Sequence, residues 1–194
     1  MSALVFATNN SNKIKEIEVL LKGKYQLKKL EEIGCLKELP ETHETIEENS
    51  AEKAEYVYNH YQVNCFAEDT GLEVEALNGE PGVYSARYAG EEKDAGKNMD
   101  KLLKEMEGVE NRTAQFKTVI TLILDGKHYQ FTGILKGKIG LEKRGLYGFG
   151  YDPVFVLDDG RTLAEVMLDE KSRMSHRGKA TQQLIDFLNA YNAG

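Results

Sequence analysis

Two long runs rich in β-branched and aromatic residues, joined by a two-residue turn, constrain the fold of this chain most strongly. They are Thr113–Leu124 and Lys127–Leu135, and they flank Asp125-Gly126, a dipeptide typical of a tight β-hairpin turn. Other short apolar runs predict further strands, and amphipathic segments that predict helices alternate with them. This mixture predicts an α/β fold with a long central mixed sheet flanked by helices.

The remaining predicted elements are spread over the whole chain. Strands are expected at 3–7, 25–30, 65–67 with a continuation over 72–76, 138–142 and 154–157. Helices are expected after residue 13, over about 48–61, near 94–106, and through the C-terminal residues 180–191. The chain has no internal repeat, low-complexity segment or flexible linker. We therefore expect a single domain spanning residues 1–194.

Composition is that of an ordinary globular protein, with 41% hydrophobic and 29% charged residues. No apolar run approaches membrane-spanning length, and no basic segment precedes the short apolar stretch at the N-terminus, so we expect a cytoplasmic protein without a membrane partner. Cys35 and Cys65 lack metal-binding spacing and are expected to be reduced core residues. A net charge of −7 argues against a nucleic-acid partner. A polyphosphate ligand would need local lysines and a metal ion.

The first candidate site follows the predicted N-terminal strand, where Thr8-Asn9-Asn10-Ser11-Asn12-Lys13 leads into a helix. Helix capping alone would explain the asparagines and the serine. A lysine in the first helical turn is unfavourable to the helix dipole unless an anion lies nearby. We therefore favour a phosphate bound by backbone N–H groups with Lys13 beside it. The Walker A pattern is absent.

Carboxylates at a strand end form the second candidate site. Adjacent strand residues point to opposite faces, so only one of Glu68 and Asp69 is expected to face a cleft. Asp69 is a candidate metal ligand or general base, with an ordinary turn residue as the alternative. The acidic segment upstream could supply a second carboxylate from Glu41 or Glu44, although most of it is expected to be solvated surface. Two carboxylates and substrate phosphates would make an ordinary Mg²⁺ site.

A third block, GFGYDP at 148–153, places an aromatic ring between two glycines. Glycine packs nothing, but it lets the backbone approach a flat ligand while Phe149 offers a face for stacking. Asp152 adds an acceptor, and His176 and Arg177 add donors at the start of the last predicted helix. A tight turn and a capped helix would explain each piece alone. Together they predict a nucleotide ligand.

Five segments carry a resemblance to a known family. They are TNNSNK at 8–13, AEDTGLEV at 67–74, GEPGVYSARYAG at 79–90, FGYDPVF at 149–155 and EKSRMSHRGKA at 170–180. In this order they resemble the inosine and xanthosine triphosphate pyrophosphatases over essentially the whole chain, and FGYDP with SHR is the specific combination. Asn9 stands where the family usually has glycine, but asparagine tolerates left-handed backbone angles. AEDTG replaces the ADDSG of many bacterial members and keeps Asp69.

The resemblance implies hydrolysis of the triphosphates of inosine, deoxyinosine and xanthosine to the monophosphate and pyrophosphate. It implies a Mg²⁺-dependent homodimer with two lobes around a substrate cleft. Asp69 would be the base and a metal ligand, and Glu41 the other metal ligand. The substrate would be held by Thr8, Asn9, Asn10, Ser11, Asn12, Lys13, Thr70, Phe149, Gly150, Tyr151, Asp152, Lys171, His176 and Arg177. Lys53 is a further candidate phosphate contact, and the roles of Glu44 and Glu68 stay open.

Base selectivity has a physical explanation, because inosine and xanthosine present a 6-oxo acceptor where adenine presents an amino donor. Donors from Arg177, a protonated His176 or backbone N–H groups would pair with the oxo group and reject adenine. The obstacle that excludes the 2-amino group of guanine has no evident signal in the sequence.

One alternative function is that of a nucleotide sensor that does not hydrolyse its ligand, which would not need Asp69 and Glu41 together. Another is a pyrophosphatase of modified pyrimidine triphosphates, and the FGYD and SHR segments count against it.

Overall fold

The computed structural model describes residues 3–23 and 25–193, which form seven strands and five α-helices. The strands are β1 (Ala3–Phe6), β2 (Gln26–Lys28), β3 (Cys65–Val74), β4 (Pro81–Gly82), β5 (Thr113–Leu124), β6 (Lys127–Ile139) and β7 (Phe155–Val156). The helices are α1 (Ser11–Leu21), α2 (Ile46–Tyr61), α3 (Ala95–Glu105), α4 (Leu168–Met174) and α5 (His176–Ala193). Within these residues, no helix has the length and apolar character needed to cross a membrane.

The strands form one mixed sheet in the order β2-β1-β3-β5-β6-β7, with β4 paired to β3. β1 is parallel to both β2 and β3, and the other pairs are antiparallel. Leu124 pairs with Lys127 across the Asp125-Gly126 turn, which confirms the predicted hairpin. The predicted α/β class, with a long mixed sheet flanked by helices, is also confirmed.

Two predicted strand boundaries are wrong, and glycine contacts explain the first. The predicted interruption at Gly71 is absent, because β3 continues through it and Gly71 pairs in register with Lys117. A side chain at Gly71 would lie 2.5 Å from the Gly82 carbonyl oxygen, so the glycine admits β4 rather than ending β3. The separate strand expected at 138–142 is instead the end of β6, which stops at Ile139.

Alternate residues of the central strands face two helical layers. One layer, under α2, contains Val5, Ala7, Ala54, Val57, Cys65, Ala67 and Ile123. The other, under α1 and α5, contains Leu4, Phe6, Ile14, Ile17, Phe66, Ile120, Leu122, Ala180 and Leu184. We call this part of the molecule, with both layers, the first lobe. Its alternation continues along β3, where Glu68 contacts side chains from α1 and α5 and Asp69 contacts one from α2.

A separate apolar cluster surrounds the other end of the long strands. It includes Leu72, Val74, Met99, Leu102, Met106, Ala114, Phe116, Leu135, Ile139 and Phe155. We call this part, with α3 and β7, the second lobe. β3, β5 and β6 contribute to both lobes, so the sheet is continuous between them. The cleft lies where the two lobes meet, because residues of both line one pocket.

Candidate active site

A cavity of about 470 Å³ brings most of the predicted site residues together. The predicted residues that line it are Thr8, Asn9, Asn10, Asn12, Lys13, Glu41, Lys53, Asp69, Thr70, Phe149, Gly150, Tyr151, Asp152, Lys171, His176 and Arg177. Ser11 is exposed as the first residue of α1 and is not among the lining residues. Glu44 is exposed and also lies outside the lining, so of the two candidates Glu41 and Glu44 the pocket contains Glu41.

The N-terminal loop is shaped by helix capping and still presents a cation to the pocket. The Asn10 side-chain oxygen accepts hydrogen bonds from the backbone N–H groups of Asn12 at 3.0 Å and Lys13 at 3.2 Å. The capping interpretation is therefore right for the Asn10 side chain. The Lys13 ammonium lies 2.5 Å from Glu68 Oε1, its side chain is 17% exposed, and the residue lines the cavity. An anion in the pocket can therefore reach it.

Two pocket carboxylates share one buried ammonium. Lys53 Nζ lies 2.6 Å from Glu41 Oε1 and 3.1 Å from Asp69 Oδ1. Burial raises the pKa of Asp69 above its usual range, although Lys53 and Lys13 oppose this. At Glu41 burial acts in the same sense, but the Lys53 charge prevails and lowers the pKa. The raised pKa of Asp69 increases its proton affinity, which suits proton abstraction.

The donor set at this end fits a magnesium ion that arrives with its substrate. Within the described ranges there is no cluster of three or more His, Cys, Asp or Glu side chains that could hold a metal ion. Glu41 and Asp69 converge on the same Lys53 ammonium, so their oxygens lie close together. Mg²⁺ is commonly held by one or two carboxylates, several waters and substrate phosphates rather than by an all-protein cage.

A buried chain of charged side chains, joined by ion pairs, runs beside the pocket from Glu68 to Asp152. Arg177 Nε lies 3.1 Å from Glu68 Oε2, and Arg177 Nη1 contacts Glu16. Lys171 Nζ lies 2.5 Å from both Glu16 Oε1 and Asp152 Oδ2. Sequence reasoning missed Glu16, which pairs with both Lys171 and Arg177. Its signal was a glutamate beside the apolar stripe of α1, where it is only 4% exposed.

Charge balance around the pocket favours a ligand that brings a cation. The carboxylates Glu16, Glu41, Glu68, Asp69 and Asp152 outnumber the cations Lys13, Lys53, Lys171 and Arg177 by one. Burial opposes the ionised form of Glu68, yet Arg177 and Lys13 hold its pKa far below the usual range. Burial raises the pKa of Asp152, with Lys171 in opposition. A polyphosphate alone would add repulsion here, and a bound magnesium ion would offset part of that negative charge.

The glycine-flanked aromatic block forms the other end of the pocket. The Lys171 ammonium lies 4.9 Å and the Arg177 guanidinium carbon 5.6 Å from the centre of the Phe149 ring. The Phe149 N–H donates to Asp152 Oδ2 at 2.8 Å. Gly148 has φ +74°, and a side chain there would collide with the Asp152 carboxylate. This glycine therefore makes room for Asp152, while the ring and its two cations remain beside the cavity.

The surroundings of His176 favour its neutral form. Its ring stacks on Phe116 with centroids 4.6 Å apart, and the residue is 3% exposed. Burial, reinforced by the Arg177 charge, lowers the pKa of His176 well below its usual range. The structure therefore disfavours the protonated His176 considered as a donor. Its Nδ1 is buried without a hydrogen-bond partner in the described part of the chain, and a bound group that paired with it would remove that cost.

The second-lobe wall contains positioning contacts that sequence reasoning missed. The Tyr151 hydroxyl donates to the Ser85 carbonyl at 2.7 Å, so it supports the wall. The buried Asn98 side chain donates to the Ala86 carbonyl at 2.9 Å and accepts from the Ala89 N–H at 2.7 Å. The sequence signal was the GEPGVYSARYAG segment, which carried no assigned role. Its backbone carbonyls are held in place by side chains from α3 and from the aromatic block.

Comparisons with known proteins agree with the fold. The Ham1 family profile matches residues 4–187. The dITP/XTP pyrophosphatase of Flavobacterium johnsoniae is 58% identical over 188 residues, which cover 96% of this chain and 98% of that protein. The enzyme of the same name from Flavobacterium psychrophilum is 55% identical over 185 residues, 95% of this chain and 97% of that one. The structure of the Staphylococcus aureus Ham1 protein superimposes with a TM-score of 0.90 at 38% identity, covering 98% of this chain and 100% of the other.

Proposed function

The chain belongs to the Ham1 family, and from that premise we propose that it hydrolyses dITP, ITP and XTP to the nucleoside monophosphate and pyrophosphate. Such an enzyme removes altered purine nucleotides from the nucleotide pool. One observation carries the proposal: a single cavity joins a lysine- and carboxylate-rich end to an aromatic end with hydrogen-bond donors. We further propose that the enzyme is a Mg²⁺-dependent, cytoplasmic homodimer built from one domain.

Asp69 is assigned to the chemical step. It would orient a water molecule and take its proton as the water oxygen attacks the α-phosphorus, and pyrophosphate would leave. Its buried position and raised pKa support this role, because both increase proton affinity. Lys13 and Lys53 would offset negative charge on the phosphates. Phosphoryl transfer needs little covalent chemistry from the protein, so positioning and electrostatics would supply most of the rate.

Magnesium is assigned to Glu41 and Asp69 together with the substrate phosphates. When bound, the ion would supply Lewis-acid stabilisation of the phosphoryl oxygens. Lys53 would then keep the two carboxylates convergent while it lies between them. The remaining phosphate contacts are assigned to the N-terminal loop from Thr8 to Lys13 and to Thr70. The Thr70 hydroxyl lies 2.9 Å from Glu68 and is part of the buried charge chain.

Base recognition is assigned to Phe149–Asp152, Lys171, His176 and Arg177. Arg177 has five N–H donors, and its contacts with Glu16, Glu68 and Thr70 leave one donor at Nη1. A 6-oxo group would accept from these cations, whereas the 6-amino group of adenine would face donors without an acceptor. Buried donors left without a partner can reject a substrate by several orders of magnitude. Lys171 and Arg177 are 2% exposed, which supports such a penalty.

The deciding experiment is pyrophosphate release from the purified protein with ITP, dITP, XTP, ATP and GTP. We expect kcat/KM for ITP to exceed that for ATP by about 100-fold or more. Activity should require Mg²⁺, disappear with excess chelator and return when Mg²⁺ is restored. Equal release from all five would reject the base-reading assignments. Tight binding of ITP without release would favour the nucleotide sensor.

A further inference from the structure

Lys93 is a pocket-lining cation in the second lobe with no role in the chemistry described so far. It directly precedes α3 and lines the cavity together with Ala95 and Asn98. It therefore approaches the cavity from the lobe opposite Lys13 and Lys53. Its charge also reaches the carboxylate end of the cavity. At Glu41, where burial and Lys53 have larger effects, Lys93 is among the charges that lower the pKa.

The carboxylates next to Lys93 in the chain are already engaged. Glu92 pairs with Lys97 at 2.9 Å, and Asp94 accepts the Lys97 N–H at 2.9 Å as the N-cap of α3. Lys93 itself reaches across the mouth of the pocket to Glu38 Oε1 at 2.8 Å. The two side chains of this pair are 48% and 84% exposed. An ion pair so open to solvent is weak, and a polyphosphate with several negative charges can displace one exposed carboxylate.

The backbone at Lys93 is unusual for a lysine. Its φ is +53°, in the left-handed region that favours glycine, asparagine or aspartate. Its N–H donates to the Gly90 carbonyl at 3.3 Å, which closes the turn before α3. A long side chain in a strained backbone position beside a ligand pocket fits the general association of such strain with binding sites.

We propose that Lys93 is a further phosphate-binding residue, which leaves Glu38 and pairs with the terminal phosphates of the substrate. This inference rests on the proposed function, because the terminal phosphates that Lys93 would bind are those of a triphosphate substrate or of the pyrophosphate product. It assigns the two members of one ion pair opposite effects. Lys93 strengthens phosphate binding, whereas Glu38 competes for Lys93 and repels phosphate.

The test compares Lys93→Met and Glu38→Gln with the wild-type protein, using inorganic pyrophosphate with Mg²⁺ in titration calorimetry. We expect Lys93→Met to weaken pyrophosphate binding about fivefold and to raise KM for ITP by a similar factor. Glu38→Gln should tighten pyrophosphate binding about twofold. IMP lacks the terminal phosphates, so all three proteins should bind it alike. Lys97→Met is the matched control, because Lys97 lies four residues away, is paired and exposed, and is outside the pocket lining.

A merely structural ion pair predicts that both substitutions act in the same direction, and that result would overturn the inference. Wild-type pyrophosphate affinity in Lys93→Met would overturn it too, as would an equal loss in Lys97→Met. These outcomes presuppose a wild-type protein that hydrolyses ITP. A wild-type protein that neither hydrolyses ITP nor binds pyrophosphate would overturn the proposed function, and the inference would fall with it.

Discussion

Neighbouring residues Glu68 and Asp69 show what one sequence can and cannot reveal about a site. Strand geometry predicts that they point to opposite faces, and the structure places Asp69 against α2 and Glu68 against α1 and α5. The sequence does not reveal their charge states. Burial raises the pKa of Asp69, whereas Arg177, 109 residues away in sequence, lowers that of Glu68 against the effect of burial. Such partners come together only in the folded chain.

Asp69→Asn tests the assigned base. The amide has nearly the same shape, and Lys53 keeps its contact with Glu41, so we expect the fold to persist. Turnover of ITP should fall by a factor on the order of 100 to 10,000, because the general base is lost. In the wild type, kcat/KM should decline as pH falls through the raised pKa of Asp69. Pyrophosphate release and thermal unfolding measure both effects, and wild-type turnover in the variant would refute the assignment.

Glu68→Gln tests the buried charge chain through the pH dependence of stability. The folded pKa of Glu68 is depressed below its ordinary 4.5. Its contribution to stability is therefore present above that pH and is lost as pH falls toward the folded pKa. We expect the variant to lose about 3–5 kcal/mol of unfolding free energy at neutral pH, because it leaves part of the charge on Arg177 and Lys13 unbalanced. Its stability should then decline less than that of the wild type on acidification.

Urea unfolding at neutral and acid pH provides that comparison. Glu47→Gln is the matched control, since Glu47 pairs with Lys117 and its side chain is 41% exposed. That control should change stability by no more than about 1 kcal/mol. If Glu68→Gln kept the full acid sensitivity of the wild type, Glu68 would not be the group whose titration matters.

At the scale of elements, local periodicity was sufficient for the hairpin and for α2, but not for α4. α4 has only seven residues, too few for a helical pattern to be distinguished from a loop. Lys171 is buried within it and held by Glu16 and Asp152, from two other parts of the chain. A side chain at Gly178 would collide with the Ser172 carbonyl, so α4 and α5 meet at van der Waals contact. Tertiary contacts thus stabilise an element that the sequence alone does not predict.

Gly133→Ala tests how α5 is seated on the sheet. A side chain at Gly133 on β6 would collide with the His176 carbonyl oxygen and lie 2.6 Å from Ala180 N. We expect a loss of about 1–3 kcal/mol of unfolding free energy from this overpacking. KM for ITP should rise as well, because the displaced first turn of α5 carries His176 and Arg177. Denaturant unfolding and steady-state kinetics measure the two effects.

Gly96→Ala is the control for that substitution. Gly96 lies in α3, where the added methyl group would meet only the end of the Asp94 side chain, at 3.1 Å. Alanine has the higher helix propensity, so the control should leave stability unchanged or raise it by up to about 1 kcal/mol. Equal stability of Gly133→Ala and the wild type would show that α5 is not seated as closely as the structure describes.

At the scale of the whole molecule, the two lobes share their sheet. β3 contributes Cys65 to the first lobe and Leu72 to the second. β5 contributes Ile123 to the first lobe and Phe116 to the second. Neither lobe can unfold without breaking strands that the other needs. If the chain is one domain, as predicted, it should unfold in a single cooperative transition.

Scanning calorimetry with and without ligand measures that cooperativity. We expect one transition, with calorimetric and van't Hoff enthalpies in agreement. Pyrophosphate and Mg²⁺ at 100 times the dissociation constant should add about 2.7 kcal/mol of stability, because the ligand binds only the folded protein. Residues of both lobes line the pocket, so this gain should move the entire transition to higher temperature. Two transitions, or a ligand shift confined to one of them, would mean that the lobes are separate folding units and that the ligand stabilises only one.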